Sequence, residues 1–481
     1  MNGPALISIF ETICHSEPDR PSIFLPGLSR TLAASALWDL HRAYVSRLSR
    51  AGLAAGDLIV SGTGNRPDLI ALLLACRSLD VVLMAADAGT THAELTELSA
   101  RFGARLLVVP ANSAPAGSAT GNPEFQFMEC DGQPQSYAGA AILKLTSGST
   151  GKPRATFTTE AQLIADGRQI VETMRIRPED TQLAAIPLSH SYGLGVLVMP
   201  LLLQGTALVL RDAFVPHQLA SDAREFGARR FPGVPFMFEY LLEHSPEREW
   251  PAGLDRLISA GAPLSPVTAK AFHDRFGVKV HAFYGTTETG GICYDESDDK
   301  DVVTTVGRPL AGVTLALRPD EDLPGGRVHV SSAAVSSGYI GSDPGDFMEG
   351  GFLTGDYGTI ADDGRLTLSG RVSSFINVAG RKVQPEEVEA TLRTMPNVAD
   401  VRVIGGTDER RGQHVVACIV PGHQGDPLTT LAVRRFCADR LAPHKIPRDI
   451  VFLETIPLTA RGKTDRHALE DLIRRRRQRT L

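Results

Sequence analysis

Nine consecutive residues, Leu145 to Pro153, read LTSGSTGKP, so four hydroxyl side chains, two glycines and a lysine follow directly on an apolar stretch. Glycine lets backbone N–H groups approach an anion closely, hydroxyls add rotatable donors, and a lysine balances charge. Thr146, Ser147, Gly148, Ser149, Thr150, Gly151 and Lys152 are therefore candidates to grip the phosphates of ATP. The spacing is not that of the common phosphate loop G-x-x-x-x-G-K-[ST]. Gly148 stands only three positions before Gly151, and Pro153 follows the lysine where a metal-binding hydroxyl belongs. A flexible Ser/Gly-rich linker has a similar composition, so other segments must decide.

Three of them carry chemistry of their own. In YGTTETGG, residues 284 to 291, Tyr284 offers a flat ring for an adenine, Thr287 a hydroxyl for phosphate, and Glu288 a hard oxygen for Mg2+ shared with phosphates. In GFLTGDYG, residues 351 to 358, Asp356 sits in a glycine-bracketed turn where a carboxylate can accept from both ribose hydroxyls. In PLTARGK, residues 457 to 463, Lys463 at a glycine-containing turn can place a compact charge between a substrate carboxylate and the α-phosphate. The plain alternatives are a core aromatic, a solvated loop acid, a turn aspartate and a surface lysine.

Elements must hold these residues in place. A chain of 481 residues exceeds one ordinary domain and predicts two or three folding units. The apolar content of 43%, charged content of 22% and net charge of −6 describe a globular protein with no overall drive toward nucleic acid or acidic membranes. Charge is uneven: residues 375–481 carry 19 Lys and Arg against 13 Asp and Glu, whereas residues 1–374 carry 30 against 42. The six cysteines include no C-x-x-C pair, so neither a disulfide framework nor a zinc site is indicated. The N-terminus has no basic start with an apolar core, and the greasiest run, Gly193 to Leu203, is short and contains Pro200. A cytoplasmic protein without a membrane span is expected.

Apolar spacing predicts a helix from Leu37 to Leu48, a strand at Leu58–Ser61, a helix at Pro67–Ser78 and a strand at Val81–Ala85. A helix at Thr91–Phe102 and a strand at Leu106–Pro110 follow, and Asn112–Gly139, rich in Ser, Ala, Gly and Pro, reads as a loop. Strands alternating with helices mean crossover units and a parallel sheet, so the fold class is α/β. Between Val302 and Leu368 short β-like pieces separated by Gly, Pro and Asp predict a small β subdomain. Beyond Gly370 a smaller α+β domain is expected, with helices at Pro385–Thr394 and Thr430–Arg440, strands at Val398–Gly405 and Val415–Val420, and a final basic helix.

LTSGSTGKP, PLSHSYG (187 to 193), SAGAPLS (259 to 265), YGTTETGG, GFLTGDYG, GRVSSFINVAGRKVQPEEVE (370 to 389) and PLTARGK, in this order, resemble the signature series of the adenylate-forming superfamily. That superfamily includes acyl-CoA synthetases, peptide-synthetase adenylation domains and luciferases. The resemblance runs from about Ser8 to Leu469 and implies an N-terminal adenylation domain, 1–373, and a mobile C-terminal domain, 374–481. It implies the roles given above for Tyr284, Thr287, Glu288, Asp356 and Lys463, with Gly285 and Thr286 beside the nucleotide and Arg371 reaching the same ribose. It places Gly261 and Ala262 along adenine and the acyl pocket, His190, Tyr192 and Gly193 at the acid, Gly380 beside pantetheine, and a hinge at Ser374.

The implied reaction makes an acyl-adenylate from ATP, Mg2+ and a carboxylic acid, then passes the acyl group to the thiol of CoA. The acceptor could instead be a carrier protein or an amine, and a relative that binds ligands without turnover is a further alternative. The sequence departs from the family pattern at the hinge, where Ser373-Ser374 fill the place of a charged pair. Pro153-Arg154-Ala155 stands for Pro-Lys-Gly, and Gly326-Arg327 for Gly-Glu. Phe231 to Phe238, Leu194 to Leu203 and the small Gly261 and Gly285 suggest an apolar cavity for an alkyl, aryl or terpenoid acid. The terminal RRRRQR, 474 to 479, suits a helix end or an acidic partner. A monomer or homodimer is expected.

Overall fold

The structure is a computed structural model. It describes residues 5–87, 89–110, 125–130, 133–146, 153–247, 249–299, 305–320, 323–341, 345–372, 375–378, 381–408, 412–422, 427–458, 464–465 and 468–473. The chain divides into two units, the first comprising 1–315 and 330–353, the second 316–329 and 354–481. The expected boundary at 373/374 falls on residues outside the described set.

The first unit is the expected α/β body, built on two sheets. Six strands run in the order Phe125–Glu129, Leu106–Pro110, Leu58–Ser61, Val82–Ala85, Ile142–Thr146, Arg154–Thr158, parallel in the middle and antiparallel at both edges. Nine strands form the other, in which Val280–Thr286, Arg256–Ser259, Arg230–Gly233, Thr181–Ala184, Ala207–Leu210 and Pro21–Leu25 are parallel. One apolar cluster joins inward residues of both sheets, such as Ile59, Leu83, Leu183 and Leu257, to the helix Pro67–Ser78, which is buried from Leu69 to Cys76.

The stretch Asn112–Gly139 is not a loop throughout, because Phe125–Glu129 forms an edge strand antiparallel to Leu106–Pro110. Phe125 is buried and Phe127 lies under the Arg47 guanidinium, 4.0 Å from its ring centre, so alternation decides the strand although its flanks are turn-like.

The helical segment from Ser191 to Gln204 contains a π turn at Leu194–Val198. Pro200 has no N–H to give the carbonyl four residues earlier, and Gln182 Nε2 donates to that Val196 oxygen at 2.9 Å instead.

In the second unit, Leu366–Arg371 pairs antiparallel with Gly351–Ile360. Val398–Asp408 and Asp449–Phe452 flank Gly412–Pro421, and the helices Pro385–Arg393 and Thr430–Ala438 supply Val388, Leu392, Val433 and Cys437 to its apolar core. Residues 468–473 are helical with Leu469 and Ile473 buried. Among the described residues no helix is long and apolar enough to cross a membrane.

Candidate active site

The first unit gathers its site residues where strands end. Thr146 closes the strand Ile142–Thr146 and lies opposite Arg154, while Ser147 to Lys152 lie outside the described residues. The strands Val280–Thr286 and Gly290–Tyr294 form a tight hairpin carrying Tyr284 to Gly291. A Cβ on Gly285 would come within 2.6 Å of the Gly290 carbonyl oxygen, and Gly290 itself has φ +70°, so both glycines are required by the turn. The hydroxyls of Thr286 and Thr289 lie 3.1 Å apart within it.

Glu288, at the tip, is held from two sides. Its carbonyl accepts the Ser336 N–H at 2.8 Å, and its Oε1 accepts from the Tyr339 hydroxyl at 2.6 Å. Burial and the Glu288 carboxylate push the Tyr339 phenol well above its ordinary pKa, so it donates throughout the physiological range. The Arg154 guanidinium lies 3.5 Å from the Tyr339 ring centre. Thus the residue facing Thr146 across the ladder is linked through one aromatic ring to the Glu288 carboxylate. A carboxylate with one oxygen fixed by a donor suits Mg2+, a hard cation that takes few protein oxygens when phosphates supply the rest.

Tyr284 is 6% exposed, so most of its ring is packed within the unit. Tyr192 is partly buried, donates to the Ile258 carbonyl at 3.2 Å and lies 5.6 Å from the Phe283 ring. Burial raises its phenol well above the usual pKa, which keeps it neutral. Gly193 admits no side chain, because a Cβ there would collide with the Pro187 carbonyl. Gly261, with φ +83°, turns the chain after the strand Arg256–Ser259, and Ala262 follows it at the surface. Tyr192, Gly261 and Tyr284 therefore lie along the carboxyl ends of adjacent parallel strands, where open α/β sheets bind ligands.

His190 precedes the helical segment, with Nε2 3.2 Å from Asp87 Oδ1, the same oxygen that accepts from Ser189 Oγ at 3.0 Å. Asp87 was not anticipated from the sequence. Its signal is an acid directly after the apolar run VVLMAA.

In the second unit, Asp356 stands within the strand Gly351–Ile360 rather than in the expected turn, and it is the cross-strand partner of Arg371, with Arg371 Nε 2.6 Å from Asp356 Oδ1. The Asp356 side chain is 6% exposed and that of Arg371 62%, so the carboxylate is fixed while the guanidinium reaches solvent. Ser374, Gly380 and Lys463 lie outside the described residues.

Lys144, Asp166, Tyr339 and Asp87 are the side chains near this site that motif reading passed over. Lys144 and Asp166 are both buried. Burial lowers the pKa of Lys144 and raises that of Asp166, and each counters the other.

Residues 10–340 match the family described as AMP-binding enzyme, and residues 387–463 match the AMP-binding enzyme C-terminal domain. The chain belongs to the AMP-binding enzyme family. This AMP-binding enzyme is 28% identical over 489 residues to the sulfoacetate–CoA ligase of Cupriavidus necator, covering 93% of its own length and 94% of that protein. It is 28% identical over 437 residues to a feruloyl-CoA synthase of Amycolatopsis, covering 86% and 89%. Its fold is that of ATP-bound MatB from Rhodopseudomonas palustris, with a TM-score of 0.83 at 23% identity over 97% and 98% of the two chains. The chain is thus an AMP-forming ligase of the adenylate-forming superfamily, and the curated relatives it resembles are CoA ligases.

Proposed function

We propose that the enzyme activates a hydrophobic carboxylic acid as its acyl-adenylate and transfers the acyl group to CoA. The observation that carries this reading is Glu288, a carboxylate fixed by Tyr339 at 2.6 Å on a hairpin tip and linked through Arg154 to the strand pair that brackets the hydroxyl-rich loop. Such a group is useful where negative charge must be gathered and oriented.

A carboxylate is a poor acyl donor because its leaving group would be oxide. In the first half-reaction its oxygen attacks the α-phosphorus of ATP, and the bond to pyrophosphate breaks. Glu288 would hold Mg2+, which would neutralise phosphate charge, and the hydroxyl of Thr287 would contact a phosphate oxygen. Thr146 and residues 147–152 hold phosphate oxygens, Asp356 accepts from the ribose hydroxyls beside Arg371, and Tyr284, Gly285, Thr286, Gly261 and Ala262 line the nucleoside. His190, Tyr192 and Gly193 contact the acid, His190 oriented through Asp87. Lys463 places its ammonium between carboxylate and phosphate. In the second half-reaction the CoA sulfur attacks the acyl carbon, the bond to AMP breaks, and the thiol proton leaves to solvent. In this reading residues 374–481 carry Lys463, Ser374 is the pivot and Gly380 lines the pantetheine path.

The apolar and aromatic side chains Phe214, Phe231, Phe236 and Phe238, which pack on one another near the carboxyl end of Arg230–Gly233, support a hydrophobic acid. The test is acid-dependent exchange of pyrophosphate into ATP across a panel of alkyl and aryl acids, followed by AMP release with and without CoA. Lys463→Ala is expected to lose exchange by at least about a hundredfold, the size of one preorganised charge contact, while still binding ATP. Exchange at the native rate in that variant overturns the assignment, and AMP release that ignores CoA redirects it to another acceptor.

A further inference from the structure

The strand that leads into the hydroxyl loop, ILKLT at 142 to 146, places a lysine where both neighbours in sequence are apolar and packed. Leu143 and Leu145 face one apolar cluster, so Lys144 faces the other side of the strand, opposite Thr156 in the antiparallel register. Thr158 on that strand and Ser336 share a hydroxyl contact at 2.9 Å, and Ser336 donates its N–H to Glu288. Lys144 is therefore the cation of a polar interior behind the Glu288 turn.

As a residue it is 5% exposed, its Nζ is not among the side-chain atoms sealed from solvent without a partner, and no hydrogen bond or ion pair of that Nζ is found among the described residues. A buried ammonium with three donors ordinarily demands partners. Its electrostatic neighbours are two carboxylates, Asp166 and Glu288. Asp166, on the helix Glu160–Met174, is anchored separately, because its Oδ1 accepts the Gly291 N–H at 2.8 Å. A side chain on Gly290 would collide with this carboxylate, and one on Gly195 would come within 3.0 Å of it, so the packing reserves the space for Asp166. Two acids thus share one lysine that is closed onto neither.

We propose that Lys144 is the resident counter-cation of the Glu288 turn and, with Asp166, sets how tightly that turn takes a divalent cation with its nucleotide. This inference rests on the reading of Glu288 as the cation-binding carboxylate. An ammonium near Glu288 stabilises the carboxylate when no metal is bound and opposes a second cation, whereas Asp166 screens the lysine and limits that opposition. Lys144 and Asp166 are positioning residues that act through Glu288.

Their signs differ, which separates this role from mere packing. Binding of Mn2+ with the non-hydrolysable α,β-methylene analogue of ATP is measured by electron paramagnetic resonance on the full chain, with circular dichroism confirming folding. Lys144→Met is expected to tighten Mn2+ severalfold, and Asp166→Asn, which keeps an acceptor for Gly291, to weaken it severalfold. The double variant Lys144→Met/Asp166→Asn replaces both buried charges and stands in if the first folds poorly; its Mn2+ affinity is expected to lie between those of the two single changes. Changes of the same sign in both single variants, or no change in Lys144→Met, overturn the proposal. Glu288→Gln is the control. If it binds Mn2+ as the native chain does, the reading of Glu288 fails and this inference with it. If it is defective while Lys144→Met is native-like, only this inference fails.

Discussion

At the amino ends of the strands Thr181–Ala184 and Arg230–Gly233, Asp180 and Arg230 meet at 2.7 Å, both nearly inaccessible to solvent. Arg230 also donates to the Arg175 carbonyl at 2.7 Å, and Asp180 accepts the Arg177 N–H at 3.1 Å. Within Ile142–Thr146 the arrangement is the reverse, since Lys144 is also buried as a residue but closes on neither Asp166 nor Glu288. One end of the body uses buried charge to finish the fold. The other keeps charge in reserve, at the end of a parallel sheet where ligands bind. Burial alone does not tell a structural ion from a functional one; whether the charge closes on a counter-ion does, as Arg230 does on Asp180 although its Nη1 has no hydrogen-bond partner.

The comparison breaks most visibly at Asp180. Removing one member of a closed buried pair leaves an uncompensated charge, which costs roughly 3–5 kcal/mol. Asp180→Ala is expected to lose stability of that order in urea unfolding, while pyrophosphate exchange per folded molecule stays near the native rate. A stability change under about 1 kcal/mol, the value ordinary for an exposed pair, would erase the distinction between the two ends.

The fold that carries this contrast was legible in the residues, though unevenly, whereas the buried charges themselves were not. The helix Pro67–Ser78 and the strands Leu58–Ser61 and Leu106–Pro110 stand where apolar spacing predicts them, because burial on both faces leaves a continuous apolar run. The edge strand Phe125–Glu129 was hidden, since one solvated face and turn-rich flanks leave only Phe125 and Phe127 as signal. Glu288 could be picked out by its glycine- and threonine-rich setting. Tyr339, Arg154 and Asp166, which fix that setting, come from distant segments and are joined only by packing. Lys144 offered a visible anomaly, a charge within an apolar strand, whose meaning depended on which carboxylates the fold would bring to it.

At the site the expected effects are smaller than at Asp180 and fall on catalysis. Tyr339→Phe keeps the ring that Arg154 covers and deletes the hydroxyl that holds Glu288. A hydrogen bond to a charged group is worth about 1.5–3 kcal/mol, so kcat/KM for exchange is expected to fall roughly tenfold or more while the melting temperature moves little. An unchanged rate would mean that Glu288 needs no second anchor, and the site would then resemble the self-sufficient pair at Asp180.

Arg154→Gln should have the smallest effect, because a guanidinium over a ring contributes about 0.5–1 kcal/mol at a partly exposed site. A two- to fivefold loss in exchange is expected in the native background. If Arg154 acts by steadying the Tyr339 hydroxyl on Glu288, the loss should disappear in the Tyr339→Phe background, where the ring is present but has nothing to deliver. Coupled residues fail to add in this way, whereas independent ones add within about 0.3–0.5 kcal/mol. A full and additive loss would instead assign Arg154 to the phosphate loop that it borders, as a charge of its own.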